Sequence, residues 1–294
     1  MGNQIYMHKN PILRITWRAI TPILILLLAL EFSTELVILI QKLYNEFSET
    51  SGISPSHVLR QDAIQELSIY LIYGIVCLYV LIPMWRKEQS NNLIYRSKNN
   101  WAGTTFATII MSLGYSLLVS LLITISDFYF HFVTDKLAEI LVRGDLLVRF
   151  ITGVIIAPII EELCFRGLVL NRLLTYTKAW AALIIQSVLF GLIHMNFPQG
   201  LKSFFCALLL GLLYIRFRQL WPCIASHAVI NLFAILVSIL AHYDRGISLL
   251  IAFVLGIFLV FVGVSLLLKQ PAAILDKVSP GGELSDSYNH ELPI

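Results

Sequence analysis

Eight apolar stretches, at roughly 18–40, 67–85, 104–126, 145–176, 179–196, 201–217, 220–241 and 247–268, follow one another with only short polar breaks. A helix needs about 20 mainly apolar residues to cross a hydrocarbon core about 30 Å thick. Within that core the backbone must satisfy its own hydrogen bonds, which confines a chain of this kind to helices or a closed barrel. Runs this long and without strict alternation are helical. The expected architecture is therefore all-α: a polytopic membrane protein of about eight transmembrane helices, with a single integral-membrane domain over 1–269. The stretch "SPGGELSDSYNHELP" makes 270–294 a polar, turn-rich tail, expected to be flexible and cytoplasmic.

Composition agrees. Charged residues are 13% of the chain and hydrophobic ones 57%, about half the charge of a soluble domain. The mean hydropathy is +0.79. A net charge of +3 gives no reason to expect a nucleic-acid partner. The four cysteines, Cys77, Cys164, Cys206 and Cys223, lie in apolar stretches without metal-type spacing and read as small buried hydrophobes. The apolar run from Ile20 to Ile40 is too long for a signal h-region and ends without a small-x-small cleavage site. No Cys-a-a-X box closes the chain. With the N-terminus inside, 14 lysines and arginines fall on the inner side and 7 on the outer, which orients both termini toward the cytoplasm. The expected location is a bacterial plasma membrane.

Within so apolar a chain, ionisable residues are the informative ones, because each costs about 2.5–3.5 kcal/mol at the centre of a span. Glu161 and Glu162 stand side by side in "IAPIIEELCFRG". Glu162 and Arg166 are four apart, acid first, the favourable order for a helical ion pair. Glu161 points about 100° away and lacks that partner; desolvation disfavours the charged form of such a carboxyl, which suits a general base working near neutral pH. Pro158 cannot donate to the helical ladder and leaves a carbonyl free just before the pair. His194 ends the fifth stretch. His227 and Asn231, four apart in "ASHAVINLF", share a helix face, an arrangement equally suited to hydrogen bonding between helices.

These residues reach a common depth only if the fourth helix continues past Arg166. "GLVLNRLLTYT" keeps helical periodicity to about Thr175. The 16 residues from Glu161 to a turn near Thr177 rise roughly 24 Å, and the 17 back to His194 roughly 25 Å. The hairpin returns His194 to the level of Glu161. His227 lies shortly after the "RQLWP" turn, on the same half.

"EELCFR", "FGLIH" and "HAVIN" fit Glu-Glu-x-x-x-Arg, Phe-x-x-x-His and His-x-x-x-Asn, in that order on successive apolar helices. In this the chain resembles the CAAX-processing and bacteriocin-processing family (CPBP, or Abi) of intramembrane endopeptidases, which includes the type II CAAX prenyl endopeptidases. The matching region runs from about Val148 to Leu240. The resemblance implies an active site inside the helix bundle. Glu161 would be the general base and His194 would help activate the water. His227 and Asn231 would form the oxyanion hole, with Glu162 and Arg166 holding the site in shape. It implies a peptide or membrane-protein substrate in the bilayer and no cofactor. Zinc held by Glu161, His194 and His227 is the alternative mechanism, weakened by the lack of a His-Glu-x-x-His box. The rival function is a non-catalytic immunity factor or adaptor of the same fold. A transporter comes third, since no paired broken helices are apparent. Glu31 and Glu35 in the first span carry no catalytic assignment, and nothing in the sequence fixes the substrate or the oligomeric state.

Overall fold

The computed structural model describes residues 11–51, 61–91, 94–96, 101–130, 145–195, 197–240, 247–271 and 274–276. Eight helical segments lie within them. They are α1 (Pro11–Ser51), α2 (Gln61–Asn91), α3 (Trp101–Phe130), α4 (146–176), α5 (Ala179–Leu192), α6 (Phe197–Phe217), α7 (Leu220–Leu240) and α8 (Ile247–Leu268). All eight expected helices are present. The first is much longer than 18–40, because hydropathy marks only the apolar part of a helix that continues beyond it. Its apolar span, Thr16–Phe47, has 32 residues. At 1.5 Å per residue this is roughly 48 Å, more than the hydrocarbon thickness, so α1 tilts or projects.

Thr16–Phe47, Ala63–Gln89, Trp101–Val119 and Gln199–Phe217 are long and apolar enough to cross a membrane. Ala179–Leu192, Leu220–Leu236 and Phe253–Leu268 are shorter apolar helices. The protein is thus an integral membrane helical bundle. One small addition escapes the hydropathy reading. Residues 94–96 (β1) pair antiparallel with 274–276 (β2), Tyr95 opposite Leu275. Most of the expected tail, 277–294, lies outside the described residues.

Helix α4 is central and packs against α1, α2, α5, α6 and α7, while α8 packs on α3. Two stretches of α4, Ile151–Ile156 and Leu163–Leu170, have widened π-type turns. Such insertions are rare and cluster at functional sites. At one end of the bundle a buried carboxylate ties three helices together. Arg18 Nη2 and Arg172 Nε donate to Glu88 at 3.2 and 3.1 Å, and Arg172 Nη1 donates to the carbonyl of Arg18 at 2.8 Å. One buried glutamate between two arginines fixes α1 and α2 to the far end of α4.

Candidate functional site

The site starts with Pro158. In the first widened stretch Ala157 N–H donates to Thr152 O, five residues back. Continuing that register would bring residue 158 to the carbonyl of Gly153, but proline has no N–H. The free carbonyl is taken by α7: Asn231 Nδ2 donates to Gly153 O at 2.8 Å. A single missing donor on α4 therefore sets the rotation of the helix that also carries His227. An amide nitrogen carries two hydrogens, so Asn231 keeps a second donor.

Four residues beyond Pro158, Glu162 is fully buried. Arg166 Nη1 donates to its Oε1 at 2.7 Å, and the Arg166 side chain is equally buried. The expected ion pair is present. Unforeseen is that His227 Nδ1 stands 2.8 Å from the same oxygen, while its Nε2 faces Glu161 Oε2 at 3.8 Å. His227 thus sits between the two carboxylates, and Glu161 is not without a neighbour. A carboxylate held by arginine accepts, so Nδ1 carries the hydrogen. In the neutral ring this leaves Nε2 as an acceptor turned to Glu161. The two glutamates differ in access: Glu161 keeps 20% of its side-chain surface and Glu162 none.

The α4–α5 hairpin turns at Thr177 and Lys178, as its length requires, and α5 climbs back to a turn bearing His194. His194 Nδ1 lies 2.8 Å from the carbonyl of Phe190. A carbonyl only accepts, so Nδ1 carries the hydrogen and Nε2 is the free acceptor of the neutral ring. No bond joins His194 to Glu161 directly. Instead the Phe190 ring stands among the polar groups, 5.2 Å from the His194 ring and 5.9 Å from that of His227. The Arg166 guanidinium lies 5.1 Å from its centroid. So Glu161, Glu162, Arg166, His194, His227 and Asn231 are gathered on α4, the end of α5 and α7.

Two contributors went unread in the sequence. Phe190 belongs to "FGLIH" but had no role. Gln186 is a lone amide in an apolar helix, which is its only signal. Its Nε2 donates to the carbonyl of Ala207 at 3.0 Å, the oxygen that also receives Arg166 Nη2 at 3.2 Å. Gly211 leaves the room: a Cβ there would lie 2.8 Å from Gln186 Nε2 and 2.5 Å from Leu183 Cδ1. The four cysteines are free and buried, as expected. Glu31 and Glu35 are exposed on α1.

For zinc, the geometry points two ways. Metal-bound histidines hold their other ring nitrogen to an acceptor. Both rings have one, Glu162 for His227 and the Phe190 carbonyl for His194. Yet among the described residues no three His, Cys, Asp or Glu side chains are grouped to hold a metal ion.

Among comparisons with known proteins, a family match falls on this region. Residues 143–233 match the type II CAAX prenyl endopeptidase Rce1-like family, under a third of the chain. The chain is 26% identical over 106 residues to a Bacillus subtilis (strain 168) protein named "Putative membrane peptidase YdiL". That match covers 36% of this chain and 43% of the relative. No solved structure matches.

Proposed function

We propose that this chain is an intramembrane endopeptidase that hydrolyses a peptide bond of a membrane-associated substrate, without a metal, in a bacterial plasma membrane with both termini cytoplasmic. The three motifs, the family match over 143–233 and the similarity to a named membrane peptidase support this reading. The observation that carries the reading is the asymmetric glutamate pair. One carboxylate is sealed and held by Arg166 and His227, while its neighbour is accessible and faces the free nitrogen of the same imidazole.

Water bound against Glu161 gives up a proton to its carboxylate. The oxygen forms a bond to the scissile carbonyl carbon, and the carbonyl electron pair moves onto the oxygen. His194 Nε2 accepts the water's other hydrogen and orients it. The second N–H of Asn231 donates to the oxyanion, as does His227 Nε2 when the ring enters the cycle as the imidazolium, having taken that proton from solvent beforehand and keeping it throughout; the cation then faces both carboxylates. Collapse breaks the C–N bond, and the proton on Glu161 passes to the leaving amine. A preorganised donor of this kind is worth about 2.7–4 kcal/mol in the transition state.

A zinc-dependent peptidase is the second reading, favoured by the acceptors behind both imidazoles. The deciding experiment for enzyme against adaptor is cleavage of a membrane peptide library by purified chain, compared with Glu161→Gln. Equal activity, or none in either, would sink the enzymatic reading.

A further inference from the structure

Away from the glutamates, a cavity of about 700 Å³ opens between α2, α3 and the α6–α7 turn. Trp85, Trp101, Trp221 and Tyr214 line it, with Arg218 as its cation and Gln219 as a further polar wall. Among the described residues no carboxylate lines it. Glu88, next along α2, is turned instead to Arg18 and Arg172.

Three features give the cavity a chemistry. Its tryptophans lie where apolar helices begin or end: Trp101 opens α3, Trp221 is the second residue of α7, and Trp85 precedes Arg86 and Lys87. Indoles at such positions mark the headgroup level of a bilayer. Next, Arg218 holds a positive φ of 52°, a conformation non-glycine residues seldom adopt and one that functional positions retain. Its guanidinium is set by Asn171 Oδ1, which Nη1 reaches at 3.4 Å, and by the Tyr214 ring 5.9 Å away. Lastly, the cavity is open rather than enclosed, and the cations Arg86 and Lys87 follow Trp85 directly along α2. We propose that it binds the phosphate headgroup of an anionic phospholipid, with Arg218 on the phosphate and the indoles against the glycerol and upper acyl chain. Basic pockets between membrane helices take such headgroups.

The cavity also touches the helix of the glutamates. A Cβ at Gly167 would come within 3.0 Å of Trp85 Cδ1, so the indole lies against the residue that follows Arg166. A headgroup seated on Trp85 bears on that turn. The proposal does not depend on the peptidase reading, because its test reads binding.

Delipidated full-length protein in detergent is titrated with phosphatidylglycerol, phosphatidylcholine or inorganic phosphate. Lipid retention is followed by native mass spectrometry, and the melting temperature is recorded. Phosphatidylglycerol is expected to be retained at one per chain and to raise the melting temperature. Arg218→Gln is expected to bind it about tenfold more weakly, the loss of one charge-assisted bond, while Arg218→Lys keeps most of the affinity. Arg216→Gln, which removes an equal charge outside the cavity, is expected to change nothing. Should Arg218→Gln not fold, Trp221→Leu serves in its place with the same expected weakening. Equal retention of phosphatidylcholine would overturn the proposal by making the lipid annular. Protection by phosphate alone at the same concentration would overturn the lipid source, and unchanged binding in both Arg218→Gln and Trp221→Leu would overturn the site.

Discussion

Glu162 Oε1 receives Arg166 Nη1 at 2.7 Å and stands 2.8 Å from His227 Nδ1, in a fully buried setting. Its neighbour Glu161 meets the same imidazole from the other side, at 3.8 Å and partly accessible. One ring thus couples a structural carboxylate to a reactive one, and the two should fail differently. Glu161→Gln keeps the volume and loses the base; hydrolysis is expected to fall by about 10²–10⁴-fold with the melting temperature unchanged. Glu162→Gln leaves Arg166 buried without its counter-charge, a loss of about 3–5 kcal/mol, and thermal stability in detergent is expected to drop. Exchanged phenotypes would reverse the assignment.

Asn231 is expected to act on the transition state. Asn231→Ala should lower kcat by about 10²–10³-fold with KM nearly unchanged. A rise in KM alone would make Asn231 a substrate-binding residue. The link from Gly153 to Asn231 gives a companion test. Pro158→Ala restores an N–H beside the Gly153 carbonyl and competes with Asn231 for it. Activity is expected to fall while stability holds or rises. Full activity in Pro158→Ala would show that the proline does not position Asn231.

Gly211 tests the support behind Arg166. A methyl there meets Leu183 Cδ1 at 2.5 Å and Gln186 Nε2 at 2.8 Å, and overpacking of this kind costs about 1–3 kcal/mol. Gly211→Ala is expected to lower the melting temperature, with Gln186→Ala in the same chain relieving part of the loss. An unchanged melting temperature in Gly211→Ala would mean that α5 and α6 give way without cost.

What the sequence disclosed follows from the range over which each effect acts. The Glu162–Arg166 pair and the free carbonyl near Pro158 are local consequences of helical spacing and of a missing N–H, so they could be read directly. The return of His194 to the level of Glu161 needed only helix rise. The partner of that carbonyl could not be read, because it depends on how α7 is rotated against α4, 78 residues away. The same holds for His227 on Glu162 and for Glu88 between Arg18 and Arg172. Each of these contacts is set by tertiary packing that leaves no local pattern in the sequence. The acceptor behind His194 is equally unmarked, since it is a backbone carbonyl, that of Phe190.

The metal question therefore rests on grouping and on measurement. If Glu161 activates water directly, it needs only a water within hydrogen-bond reach and a second group to orient it, and the free nitrogen of His194 supplies that group. Zinc would ask more: Glu161, His194 and His227 would all have to close to about 2.0–2.2 Å of one point, whereas no direct bond joins Glu161 to His194 and the Phe190 ring contacts both imidazoles. Full activity is expected after exhaustive dialysis against a chelator, with no stoichiometric zinc by elemental analysis. His194→Ala should then lower kcat without altering the metal content. One zinc per chain, with activity lost on its removal and restored on its return, would replace the glutamate mechanism by a metallopeptidase in which Glu162 and the Phe190 carbonyl orient the two ligand imidazoles.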